Sequence, residues 1–385
     1  MDPPGALDGL VVADFSRVLA GPLATMTLGD LGADVIKVER PGTGDDTRAW
    51  GPPWRDGEST YYLGLNRNKR SVVLDLADSG DVAVARRLAE RADVLVESFR
   101  PGLMARWGLD HATVSAANPR LVYCSVSAFG RQPEGAALPG YDLILQAASG
   151  LMSVTGEPDG RPLKVGAAVV DMICGLQAAI GILGALAARE RTGRGQLVDA
   201  TLMEAGLSAL LNQGAGYVLA GVVPGRMGNR HPSIAPYETF AGRDGRPFVV
   251  AAANDRLFAR LCDAVGEPAL ATDPRFADNA TRGANGEELA ALLAARFAAA
   301  DREDWIARLT AAGVPAGPVN DVAEAYALAE RVGLAPVADA PGGPVEPPLP
   351  LPAPAPRLEG TPAAVRRRPP RLGEHSEEIR AWLEA

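Results

Sequence analysis

The chain has 385 residues, 47% of them apolar and 22% charged, with a formal net charge of −9. That is enough chain for two domains with a sizeable core, and the apolar share is that of a globular protein. The acidic balance argues against a nucleic acid partner, although local Arg/Lys clusters can still hold an anionic small molecule.

From the N-terminus, MDPPGALDGLVV lacks a basic leader region, which predicts no secretory signal. Gly9–Phe15 reads as a buried strand, Ala20–Leu31 as a helix opened by Gly21-Pro22, and Ala33–Glu39 as a second strand. Ser71–Leu76, Asp93–Glu97 and Leu121–Val126 are further β-branched runs, with a helical pattern at Ser79–Ala92 between them. Strands alternating with helices predict βαβ units and a doubly wound parallel sheet, with ligands beyond the carboxyl ends of the strands. The first strand–helix turn reads SRVLAGP, not G-x-G-x-x-G, so a nicotinamide dinucleotide has poor support.

Tyr141–Gly150 reads as a helix. The segment 164–188, KVGAAVVDMICGLQAAIGILGALAA, is apolar, rich in small residues, and holds one carboxylate, Asp171. Its length tempts a membrane reading, but Asp171, Gln177 and the Gly/Ala content favour a buried helix and no membrane partner. Asp171 reads either as a helix N-cap or as a catalytic acid that the helix start keeps ionised. ERTGRGQLVD (190–199) is a turn into a short strand, and Thr201–Gln213 is a helix. Gly214–Pro236 reads as irregular, and its end, 228–237, as a mobile loop carrying His231 and Tyr237. Strands at Pro247–Ala253 and Val314–Val319, with helices at Arg256–Val265, Glu287–Ala299 and Arg302–Ala312, make a second α/β domain. Pro341–Pro356 reads as an extended connector, and an amphipathic helix ends the chain.

Basic residues recur at the predicted strand ends: Arg17, Arg40, the run Asn66-Arg67-Asn68-Lys69-Arg70, Arg100 and Arg106. Together they favour a phosphate-bearing ligand. Cys124, Cys174 and Cys262 have no C-x-x-C spacing, which predicts buried thiols in a reducing cytoplasm. His111, His231 and His375 are too dispersed to suggest a metal site.

Several stretches together resemble the class III CoA-transferases, the group that includes formyl-CoA transferase, carnitine CoA-transferase and α-methylacyl-CoA racemase. They are DFSRVLAGP (14–22), LGADVIKVERPGTGD (31–45), NRNKRSVVLDL (66–76), DVLVESFRPG (93–102), the GYD (140–142) to VVD (169–171) spacing, RTGRGQLVD (191–199), HPSIAPY (231–237) and LGEHS (372–376). They run nearly end to end.

The resemblance implies an α/β fold with a large Rossmann-like doubly wound domain and a smaller α/β domain, in a homodimer of interlocked rings. The expected boundaries are 1–213 for the N-terminal part of the large domain, 225–329 for the small domain, and 330–385 for a linker and the segment returning to the large domain. It makes Asp171 the nucleophile that forms a mixed anhydride with the acyl group of an acyl-CoA. Val18, Arg40, Leu74, Phe99, Arg106 and Trp107 fall at coenzyme A contacts. Leu19, Tyr141, Asp142, His231 and Tyr237 fall at substrate contacts. The coenzyme A thioester is a substrate, and no permanent cofactor is implied. The HPSIAPY form suits transferases that use succinyl-CoA and dicarboxylic acids, and Leu19 departs from the glutamine of formyl-CoA transferase. The racemase branch places a histidine where Tyr141 stands, and tyrosine is a poor base near neutral pH. This favours transferase over racemase.

Overall fold

The computed structural model describes residues 4–342 and 347–385. Part of the expected 341–356 connector, residues 343–346, lies outside the described residues. The chain divides into two compact units. One takes the chain up to Leu151, Lys164–Val222 and Ala335 onward; the other takes Met152–Leu163 and Val223–Leu334.

The larger unit is built on six strands: β1 (Val11–Phe15), β2 (Asp34–Glu39), β3 (Lys69–Val73), β4 (Val94–Glu97), β5 (Val122–Ser127) and β6 (Leu197–Thr201). All pair in parallel, in the order β3-β2-β1-β4-β5-β6. Most of these strands are buried along nearly their whole length, polar residues included, because helices cover both faces of a parallel sheet. The order is that of a doubly wound dinucleotide fold, and it reverses between β1 and β4, where a crevice opens beyond the carboxyl ends.

Helices cover the sheet, two of them packed together in one core. Helix α1 (Ala20–Asp30) follows β1 directly. Later helices include α2 (Ser79–Arg91), α3 (Asp142–Ala148), α4 (Val169–Thr192) and α5 (Leu202–Ala209). The buried stripe of α4 (Cys174, Gly175, Ala178, Ala179, Ile182 and Ala185) joins the core with Ala20, Ala24 and Leu28 of α1. Small residues permit that approach: a Cβ on Gly175 would stand 2.6 Å from the Ala20 carbonyl oxygen. Among the described residues α4 is long and apolar enough to cross a membrane, yet half of its apolar window is buried in this core.

The expected helix 201–213 breaks at Leu211, which adopts φ +38, and resumes as α6 (Asn212–Ala220). The start of the expected irregular segment is therefore helical, and the first unit runs to Val222, beyond the expected 213.

The smaller unit holds β7 (Tyr237–Ala241), β8 (Pro247–Ala251) and β9 (Ala316–Pro318) in an antiparallel sheet. Its helices include α7 (Asp255–Ala264), α8 (Asn279–Ala284), α9 (Gly286–Phe297) and α10 (Arg302–Ala311). Phe240, Phe248, Phe297 and Trp305 make its aromatic core, and Trp305 Nε1 donates to the Phe297 carbonyl at 2.8 Å. Met152–Leu163 joins this unit, with Gly228 N–H donating to the Gly156 carbonyl at 3.0 Å, so the unit is not one continuous segment as expected.

The returning chain forms β10 (Val337–Ala340) and β11 (Leu349–Pro352), paired antiparallel; β11 falls within the expected 341–356 connector. Alternate residues explain it: Leu349 and Leu351 are buried while Pro350 and Pro352 face outward. Helix α11 (Ser376–Glu384) then packs Ile379 and Leu383 into the core beside Val72 and Leu88.

Candidate functional site

Two clefts open at the switch point. One, of about 340 Å³, is lined by Val18, Leu19, Phe129, Tyr141 and Asp171 among others. A neighbouring cleft of about 290 Å³ is lined by Lys37, Arg40, Leu74, Phe99 and Trp107 among others. Arg17 and Phe99 line both, so the clefts adjoin there.

The turn after β1 divides them. Val18 sits at φ +71, a left-handed conformation that β-branched residues rarely adopt. It is held from beneath. Val18 N–H donates to Asp45 Oδ1 at 3.4 Å, and Lys37 Nζ donates to the Ser16 carbonyl at 3.0 Å. Lys37 also pairs with Asp45 at 2.8 Å, with both side chains at most 1% exposed. Burial would raise Asp45, but the Lys37 ammonium and the Thr47 bonds hold its carboxyl down at about 2. Next to Lys37, fully buried Lys69 pairs with Asp14 at 3.0 Å.

The turn after β4 is fixed in turn by Glu97, whose carboxylate accepts Phe99 N–H at 2.8 Å and Ser125 Oγ at 2.5 Å. Phe99 meets Trp107 edge to face at 5.4 Å, and the Arg17 guanidinium lies 5.1 Å from the Phe99 centroid. An apolar shelf with a cation at its edge suits a flat heteroaromatic ring and an anion.

Asp171 is 9% exposed and sits on the third residue of α4; Ala168, not Asp171, is the N-cap. No described residue donates a hydrogen bond to its carboxylate. Burial, and then the nearby Asp142 charge, push it up to about 7. The expectation is a helix start that keeps Asp171 ionised; burial and the Asp142 charge act the other way. Asp142, expected at a substrate contact, has both oxygens engaged within the protein. Its Oδ1 accepts Val170 N–H at 2.9 Å and Asp171 N–H at 3.2 Å, so it is the residue that caps α4.

Of the expected coenzyme A contacts, Arg40, Leu74, Phe99 and Trp107 share the 290 Å³ cleft. Val18 lies in the Asp171 cleft, and Arg106 is exposed and outside the lining of both. Leu19 and Tyr141 line the Asp171 cleft. His231 and Tyr237 belong to the smaller unit, where their rings stand 5.2 Å apart beside a separate cleft of about 440 Å³. That loop is fastened: Asn279 Nδ2 donates to the Ser233 carbonyl at 2.7 Å, and Arg282 Nε to the Ala235 carbonyl at 2.8 Å.

The expected basic edge also shrinks. Arg67 and Asn68 bond Asp30, Lys69 bonds Asp14, and Arg70 bonds Asp34 and Glu378. This run opens β3, whereas the crevice lies beyond strand carboxyl ends.

Two residues close to Asp171 or its helix start are absent from the sequence reading. Tyr61, pushed up to about 12 by burial and then by Asp171, carried no signal. Gln146, one helical turn after Asp142, could have been found by its i, i+4 spacing. No cluster of metal-ligating side chains occurs among the described residues. Cys124, Cys174 and Cys262 are free and buried, as expected.

The family described as CoA-transferase family III matches residues 7–376. The chain is 41% identical to the succinate–glutarate CoA-transferase of Agrobacterium fabrum, over 99% of this chain and 96% of that one. It is 46% identical to the acetyl-CoA:oxalate CoA-transferase of Acetobacter aceti, over 85% of this chain and 84% of that one. A solved CAIB/BAIF family protein from Brucella suis superposes with a TM-score of 0.87 at 42% sequence identity, covering 99% of this chain and 100% of that one. On these matches, the chain belongs to CoA-transferase family III and is a CoA-transferase.

Proposed function

We propose that this chain moves coenzyme A from succinyl-CoA to a second carboxylic acid through an anhydride on Asp171. The observation that carries this reading is a buried carboxylate without a hydrogen-bond donor at the wall of the switch-point cleft. Such a group, once ionised, is a nucleophile with little solvation to shed. Its oxygen attacks the thioester carbonyl; the C–S bond breaks and coenzyme A leaves as thiolate. The thiolate then attacks the aspartyl carbonyl of the anhydride, which releases the donor acid and leaves an aspartyl thioester. The acceptor carboxylate attacks that thioester, whose C–S bond breaks to release the thiolate again and re-form an anhydride; the thiolate then takes the new acyl group and frees Asp171. Each step exchanges one activated carboxyl for another, so no external energy source is required.

The second cleft is the seat for coenzyme A in this reading, with Leu74, Phe99 and Trp107 against the apolar part and Arg40 toward phosphate. Trp107→Ala is expected to raise KM for acyl-CoA about tenfold with kcat within about twofold, as loss of one stacking partner would. Steady-state kinetics in acyl-CoA check this. Relatives named for succinate, glutarate and oxalate support a dicarboxylic acid as acceptor, with Arg17 and Arg100 as the cations lining the Asp171 cleft.

Two copies interlocked as a homodimer are part of the same reading. The outward faces of α4 to α6 support it: Leu176, Ile180, Leu211, Val218 and Leu219 are all exposed. The buried free thiols support a reducing, cytoplasmic setting.

Hydroxylamine added during turnover is expected to inactivate the enzyme and to convert Asp171 to its hydroxamate, read by peptide mass. Full activity with an unmodified Asp171 overturns the anhydride.

A further inference from the structure

The start of α4 carries an arrangement that a buried nucleophile does not need merely to exist. A helix leaves its first amides without intrahelical partners, and an acid on its third residue ordinarily reaches back toward them. Here those amides are already taken. Asp142, on α3, accepts Val170 N–H at 2.9 Å and Asp171 N–H at 3.2 Å through Oδ1. Its other oxygen accepts Gln146 Nε2 at 2.6 Å. Gln146 is fully buried, and its Oε1 accepts Val165 N–H at 2.8 Å, on the segment that leads into α4. The amide orientation of Gln146 is therefore fixed from both ends.

We propose that Asp142, clamped by Gln146, is the positioning residue of the nucleophile: it closes the first amides of α4 and leaves the Asp171 carboxylate free to react. The inference rests on the reading of Asp171 as the nucleophile.

The chemistry follows from where the two charges lie. The positive end of a long helix stabilises one carboxylate. Asp142 occupies that place, so Asp171 receives neither its hydrogen bonds nor its full field. Asp171 instead feels Asp142 as a like charge, which adds to the effect of burial. A carboxylate that titrates close to neutral pH combines high basicity with a useful ionised fraction, the compromise that favours reaction at that pH. The other charged or titratable groups near Asp171 do not supply this. Tyr61 and Cys174 are pushed upward and stay neutral, and Glu204 on α5 acts on Cys174. Arg17, Asp46 and Arg100 line the cleft, with Arg17 paired to Asp46 at 3.6 Å, and none contributes to the shift of Asp171.

The test is the pH dependence of kcat/KM for acyl-CoA in the parent, in Asp142→Asn and in Gln146→Leu. Hydroxylamine trapping is run on each protein, and its thermal melting is recorded. The parent is expected to gain activity as pH rises through about 7, where Asp171 ionises. Asp142→Asn keeps an oxygen for the α4 amides but removes the charge. Its limb is expected to move to lower pH by at least about half a unit, with the plateau down at least about tenfold. Gln146→Leu removes the donor that aims Asp142 at the α4 amides, so the Asp142 charge swings away from Asp171 and the limb moves the same way. A residue that only supports the fold would lower the plateau and the melting temperature and leave the limb where it was; that result in both variants overturns the inference. With an Asp171 adduct in the parent and unmoved limbs, the nucleophile stands and the positioning role falls. With no adduct in the parent, both fall.

Discussion

Asp171→Asn is expected to abolish CoA transfer, by at least about 10³-fold in kcat, and to raise the melting temperature above pH 7 at the same time. The two effects share one cause. The carboxyl titrates at about 7 in the folded protein, pushed up by burial and then by Asp142, against 3.8 for the free group. The folded state therefore holds a proton that the unfolded chain has already lost. Stability from this group is complete below about pH 4 and is lost as pH rises through about 7. Asparagine is isosteric and cannot ionise, so it removes that loss. The gain is on the order of 1–3 kcal/mol at pH 8 and near zero at pH 4. Thermal melts of parent and variant at those two pH values check it. A variant that loses activity but melts alike at both would show that the buried charge costs the fold nothing. A variant that keeps activity would remove Asp171 from the reaction.

Much of this was legible in sequence because it is written in local patterns. The strands of the doubly wound sheet are short runs rich in β-branched residues, and one awkward carboxylate in an apolar stretch marks Asp171. Arg40, Leu74, Phe99 and Trp107 were placed through family resemblance, and the fold brings them to one cleft. What misled was the destination of polar side chains. Arg67, Asn68, Lys69 and Arg70 look like a basic ligand edge, but each finds an acid elsewhere in the larger unit. Asp142 looked like a substrate contact, and only the packing of α3 beside α4 shows that it closes backbone amides. Such pairings are set by contacts distant in sequence, and no spacing encodes them. The same holds for β11, where proline density spoke for an extended connector. An antiparallel ribbon needs few ladder donors at outward positions, so Pro350 and Pro352 are tolerated.

The turn that separates the two clefts leads to the other large effect. Lys37→Met is expected to destabilise the fold by about 3–5 kcal/mol at pH 7 and to raise KM for acyl-CoA. Lys37 is fully buried on β2, bonded to Asp45 at 2.8 Å and to the Ser16 carbonyl at 3.0 Å. Methionine fills much of the same volume, so the cost is electrostatic: Asp45 loses its counter-charge, and Asp14 keeps only Lys69. In the parent, burial would raise Asp45, yet Lys37 holds it at about 2. Its contribution is therefore present above about pH 4 and fades as pH falls through about 2. In the variant burial acts unopposed by Lys37, Asp45 takes up a proton more readily, and the deficit against the parent narrows as pH drops. Val18 is the functional link. Its φ of +71 costs about 1–3 kcal/mol, and Asp45 and Lys37 help to hold the turn in that conformation. When they let go, Arg17 and Val18 leave the walls of the clefts. Denaturant unfolding at pH 7 and pH 4, with KM measured at pH 7, reads both effects. The double variant Lys37→Met/Asp45→Leu separates them, because replacing a buried pair by apolar groups restores stability without restoring the turn. Recovery of stability with KM still raised is the expected outcome; recovery of both would show that the buried pair holds no shape the ligand needs.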